Sequence, residues 1–176
     1  MIKQLMKQLL MALILAVASS AARAQTYPPT DSPRLEFALQ LRVLIDKPYT
    51  VGETPHGRRV VVPITGGTFE GPQLKGTVLP GGADYQLVGA DGRRTELEAI
   101  YTICTDDSVR IHVRNRGIVV DDKDASGRPR NYFMAAPQFE APVGSRYAWL
   151  NDAIFVCRPE FVKGYPGIVL NVWRVW

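Results

Sequence analysis

From Leu35 onward, apolar and polar residues alternate with a period of two rather than 3.6. Leu35, Phe37, Leu39, Leu41, Val43 and Ile45 interleave with Glu36, Gln40 and Arg42. Leu97, Ala99, Tyr101 and Ile103 interleave with Glu96, Glu98 and Thr102, and Val109, Ile111 and Val113 with Arg110, His112 and Arg114. The last run, Gly167 to Trp176, is rich in β-branched and aromatic residues. Asp91-Gly92, Ser126-Gly127, Gly81-Gly82 and Pro166-Gly167 supply turns between such runs. Roughly nine or ten short strands are predicted, with no convincing helical stripe after the N-terminal segment.

That pattern predicts an all-β domain: a single closed or nearly closed antiparallel β-barrel of about 8–10 strands, spanning 35–176. The chain ends on an apolar strand that needs a partner, and the long first strand can be that partner. Closure would remove both exposed edges. The segment Gly66 to Gln86 fits the same architecture. It holds six glycines and two prolines, yet Phe69, Leu74, Val78 and Leu79 are threaded through it. Glycine there marks a bend, a bulge or a close backbone approach, not a flexible linker.

The N-terminus reads differently. Lys3 and Lys7 precede an apolar run from Leu9 to Ala18, and Ala22-Arg23-Ala24 has the small-x-small form of a cleavage site. Residues 1–24 are therefore expected to be a secretory signal peptide, too short in its apolar run for a membrane span. Residues 25–34, proline- and hydroxyl-rich, are expected to be a disordered lead-in. The product would be periplasmic or secreted, with no membrane association in the mature form. Lys3, Lys7 and Arg23 supply three of the formal +4, which leaves the rest of the chain near +1. Such a domain has no electrostatic case for nucleic acid. The local cluster Arg110, Arg114 and Arg116 reads as a solvated strand face.

Two cysteines, Cys104 and Cys157, sit in strand-like runs and would meet an oxidising compartment. They are either a disulfide, closing a loop of about fifty residues for about 4 kcal/mol, or two buried thiols.

No metal spacing, Walker loop or GxSxG is present, and no cofactor is implied. The only histidines are His56, in a Pro/Gly loop, and His112, sharing a strand face with arginines. Asp121, Asp122 and Asp124 read as a solvated loop tip. Asp84 and Glu140 sit beside aromatics, whose burial could raise a carboxyl pKa and suit general acid/base work. The alternative for Asp84 is a turn cap. Tyr147, Trp149 and Asn151 would share one strand face and form a pocket floor, with hydroxyls from Tyr101 and Tyr132 and an aromatic wall from Tyr85. The alternative is core aromatics with a structural Asn151. A filled barrel with a purely structural role is the third reading.

These residues also resemble one family closely. The marks are Gly52 to Gln86, then Tyr101, Thr105-Asp106-Asp107, Arg116-Gly117, Tyr132-Phe133, Pro137 to Glu140 and Tyr147 to Asn151. The chain is identified as a member of the domain-of-unknown-function family 3237, from about Leu35 onward. The resemblance implies a small β-barrel and no agreed activity. Ser108 stands where the family pattern usually has glycine, and Cys157 is not a family mark. The functional expectation is an exported barrel holding a small organic molecule at its mouth, with Asp84, Tyr85, Tyr101, Glu140, Trp149 and Asn151 lining the pocket. The competing expectation is a cofactor-independent isomerase, lyase or hydrolase with Asp84 or Glu140 as acid/base. Ligand identity and oligomeric state stay open.

Overall fold

The computed structural model describes residues 32–176. The expected signal peptide and most of the lead-in lie outside the described residues. Residues Pro33–Trp176 form one unit. It contains ten strands: β1 (Leu35–Ile45), β2 (Tyr49–Thr54), β3 (Gly57–Glu70), β4 (Lys75–Val78), β5 (Gly82–Val88), β6 (Arg94–Thr105), β7 (Arg110–Lys123), β8 (Pro129–Glu140), β9 (Ile154–Glu160) and β10 (Gly167–Val175).

All pairings are antiparallel, and they close on themselves. Around the wall the order is β1, β10, β9, β8, β7, β6, then β4 and β5, then β3, which returns to β1. The ten strands fill eight wall positions. β1 pairs with Ile64–Glu70 of β3 while β2 continues along the same edge at Gly57–Val61. Likewise β4 and β5 share the space between β3 and β6. The expected seam is present: β1 pairs with β10 from Leu35↔Val175 to Leu44↔Gly167. The chain thus satisfies its first and last apolar strands with each other.

The glycine-rich segment acts where β1, β3 and β4 bend past one another. Gly67 has φ +133, and a Cβ there would strike the backbone carbonyl of Arg42 on β1. Gly82 has no such φ, but a Cβ there would come within 2.5 Å of Tyr101 Cβ. Glycine at 82 lets β5 lie against the inward side of Tyr101.

One end of the barrel is solid. Leu39, Leu41, Ile103, Ile111, Val113 and Val172 are almost completely buried in it. Phe139 and Phe155 meet edge to face at 5.0 Å. The β8–β9 connection folds over this end. The stretch expected to be a strand bearing Tyr147, Trp149 and Asn151 is instead a short 3₁₀ turn, Ala148–Asp152. Pro142 and Gly144 precede it, and its pattern of large residues buries Tyr147 and Leu150 downward rather than alternating across a sheet.

Of the two readings of the cysteines, the structure shows free thiols. Period two explains it. Cys104 lies between the inward-facing Ile103 and Thr105 and so points outward from β6, whereas Cys157 is fully buried inside β9. Arg114 and Arg116 also point outward, where both donate from Nε to Glu98 Oε1, at 2.8 and 2.9 Å. These hydrogen bonds hold the Glu98 carboxyl below the usual range.

Candidate functional site

The other end of the barrel is hollow. Its inward positions carry small residues on three consecutive strands: Ala99 on β6, Gly117 on β7 and Ala135 on β8. Side chains too short to meet across the barrel leave a cavity of about 420 Å³. Its walls are mostly aliphatic, from Val43 and Ile45 on β1, Val62 and Ile64 on β3, and Ile168 and Leu170 on β10. Phe133 and Phe161 stand together on one side, ring centroids 6.2 Å apart.

Five polar residues interrupt this lining: Asp84, Gln86, Thr95, Tyr101 and Asn115. Asp84 and Gln86 are two apart on β5 and so share its inner face. The β5–β6 ladder pairs Ala83 and Asp84 with Ile100 and Ala99, then resumes at Leu87↔Glu96. In the gap, the Asp84 carboxylate accepts from Glu98 N at 3.0 Å and from Gln86 Nε2 at 2.7 Å. Arg59 donates to the Tyr85 carbonyl there at 3.2 Å. Asp84 is therefore not a turn cap; it mends the wall from inside. Burial pushes its carboxyl pKa up, and the two donors only partly offset that.

Tyr101 is 4% exposed, and its hydroxyl meets no hydrogen-bonding group of the protein. Burial drives its pKa far above the ordinary phenol range, so the group is a neutral donor. Asn115, also buried, donates from Nδ2 to Cys157 Sγ at 3.7 Å. Burial raises that thiol to about 11, which leaves it protonated and a poor nucleophile at neutral pH.

Of the residues expected to form the pocket, the structure brings together Asp84 and Tyr101 alone. Tyr85 lies next to Asp84 on β5 and so faces outward, 43% exposed. Tyr132 and Glu140 are exposed on β8. Trp149 lies over the solid end, in a second pocket with Pro72, Arg174 and Trp176. The Asn151 amide clips one residue in both directions, accepting from Ala141 N at 2.7 Å and donating to Ala141 O at 2.9 Å. The expected shared cavity of Asp84, Trp149 and Asn151 is thus corrected: the last two belong to the plug at the opposite end. His56 sits in the exposed β2–β3 turn and His112 on the outer face of β7, away from any nucleophile–base pairing within the cavity. Among the described residues, no group of three His, Cys, Asp or Glu could hold a metal.

Gln86, Thr95 and Asn115 were missed. Asn115 had a signal in the alternation: it falls in phase with the apolar Ile111 and Val113, so a polar side chain was due inside.

An eight-position antiparallel barrel, solid at one end and hollow at the other, defines the class: a small cavity-bearing β-barrel. The chain belongs to the family described as "Protein of unknown function (DUF3237)", which matches residues 33–175. A UPF0311 protein of Clostridium acetobutylicum is 35% identical over 132 residues, covering 69% of this chain and 82% of that protein. A crystal structure of a β-barrel-like protein from Acinetobacter baumannii superposes with a TM-score of 0.74 at 29% identity, covering 86% of this chain and all of that one. A conserved protein of unknown function from Rhodopseudomonas palustris gives a TM-score of 0.72 at 29% identity, over 84% of this chain and all of that one.

Proposed function

We propose that the protein binds a small organic molecule in the hollow end of its barrel. One observation carries this reading: the cavity is apolar overall, yet it holds a carboxyl, two amides and a phenol turned inward. Apolar walls supply affinity and a few directed polar groups supply orientation. The amides and the carboxyl have partners in the wall, but a filled, purely structural barrel has no use for the unpartnered phenol. The test is extraction of the purified protein and mass spectrometry of what it carries, compared with Ala99→Phe, which fills the cavity. A compound retained by the wild type and lost from the folded variant supports the reading. Equal retention by both, or none by either after a screen of apolar compounds, overturns it.

A second reading, acid/base turnover in an isomerase, lyase or hydrolase reaction, is favoured by the raised pKa of Asp84 in that cavity. Glu140, exposed on the barrel wall, has no part in it. Asp84→Asn would then retain ligand and lose turnover. The proposal also places the domain in the periplasm or outside the cell, on the leader-like pattern of residues 1–24. Mass analysis finding Gln25 at the N-terminus of exported protein supports that part. An intact Met1 on cytoplasmic protein overturns it.

A further inference from the structure

We propose that the guest of this cavity is a neutral, largely apolar ring compound whose carbonyl oxygen accepts a hydrogen bond from Tyr101. The inference rests on the small-molecule reading above and sharpens it. Three observations carry it.

The first is charge. Among the described residues lining the cavity, none is lysine, arginine or histidine. An anionic guest would give up its hydration with no cation to replace it, beside the Asp84 carboxyl. A cationic guest would need that carboxyl ionised and free. Both its oxygens already accept from protein donors, and its burial favours the uncharged form.

The second is the orphan hydroxyl. Asp84 and Asn115 each have partners within the protein, but the Tyr101 hydroxyl has none. What it lacks is an acceptor, because a buried donor is left unpaired more rarely than a carbonyl oxygen. Burial keeps the phenol protonated, so it has a hydrogen to give. A carbonyl oxygen accepts without needing a donor's partner of its own.

The third is size. A volume of about 420 Å³ equals roughly fourteen waters at ~30 Å³ each. That leaves room for a guest of one or two fused rings.

The experiment uses four probes of one shape: 2-acetonaphthone, 2-isopropenylnaphthalene, 2-naphthoate and 2-naphthylmethylammonium. Binding is measured by equilibrium dialysis near neutral pH on the wild type and on Tyr101→Phe. One neutral hydrogen bond corresponds to roughly a five- to tenfold preference of the wild type for the ketone over the alkene. Tyr101→Phe should bring that ratio to about one, with the alkene's affinity unchanged. Both ions should bind at least about tenfold more weakly than the ketone. Tyr101→Phe should melt at the same temperature as the wild type or higher, since the lost hydroxyl had no partner. An ion that matches the ketone, a ketone preference that survives Tyr101→Phe, or a lowered melting temperature overturns the proposal. If the alkene binds and the ketone shows no advantage, this inference alone fails. If neither neutral probe binds, the small-molecule reading falls with it.

Discussion

Two aspartates show how differently the two ends of this barrel are built. Asp107, at the solid end, accepts from Thr105 Oγ1 and from the Tyr147 hydroxyl, the latter at 2.9 Å, with Arg146 close by. Those hydrogen bonds hold its pKa down. Asp84, at the hollow end, also has two donors, but burial outweighs them and its pKa is raised. The solid end satisfies its polar groups and fills its volume. The hollow end leaves a phenol unpartnered and a carboxyl half-desolvated. Strain of this kind is tolerated where it serves a site, and the packed end supplies the stability that permits it.

The sharpest break in that comparison comes from aromatic truncation. Phe155→Ala removes a ring that is 1% exposed and packed on Phe139 and Trp149. It should destabilise by about 3–5 kcal/mol in denaturant unfolding. Phe161→Ala at the cavity mouth, where the ring is 73% exposed, should stay within about 0.5 kcal/mol. Equal losses would mean that the two ends are not energetically distinct.

Asn151→Ala comes next. It removes both hydrogen bonds that hold the plug to Ala141, for an expected loss of about 1–2 kcal/mol. Binding in the cavity, measured per folded molecule, should not change. A selective loss of binding would return Asn151 to the site.

Ser108→Gly tests the turn beside Asp107. Ser108 has φ +66, the left-handed region, and is the position where the family resemblance calls for glycine. Relieving it should stabilise by roughly 1 kcal/mol, read as a higher denaturation midpoint at unchanged m-value. No gain would mean that the turn is relaxed by its hydrogen bonds.

The smallest effects separate the aspartates by pH. Asp84 has a folded pKa above its ordinary 3.8. As pH rises through the window between those values, the unfolded chain releases a proton that the fold retains, and stability falls. Asp107 has a folded pKa below 3.8, so its contribution is present above that value and lost as pH falls through the folded pKa. Between about pH 3 and about pH 7, the melting temperature of Asp84→Asn should therefore rise relative to wild type, and that of Asp107→Asn should fall. Parallel shifts would remove the distinction between the two ends.

Much of the fold was legible from the chain alone. Alternation in β6, β7 and β1 from Leu39 onward declared which face of each strand points inward, because a strand has only two faces, whereas a register shift between Phe37 and Leu39 leaves Leu35 and Phe37 exposed. The apolar first and last strands announced their own pairing. Gly67 and Gly82 marked close approaches that leave no room for a Cβ. The same alternation misled at 147–151, where the buried pair Tyr147 and Leu150 is three apart, the period of a 3₁₀ turn, rather than two. It could have excluded one pair of assignments: Asp84 and Tyr85 are adjacent, so they could not both line one cavity.

Only the tertiary structure decided where the inside is empty. Whether inward residues meet depends on which small side chains become neighbours across strands. Ala99, Gly117 and Ala135 come from three parts of the chain and lie side by side only after β6, β7 and β8 pair. The same holds for polar partners. Tyr101 lacks one and Asn151 finds Ala141 because of where the closed wall and its plug put them. Periodicity is a property of one strand and can be read from its residues. A void, or an unsatisfied hydroxyl, belongs to all the strands that surround it and exists only once the barrel has closed.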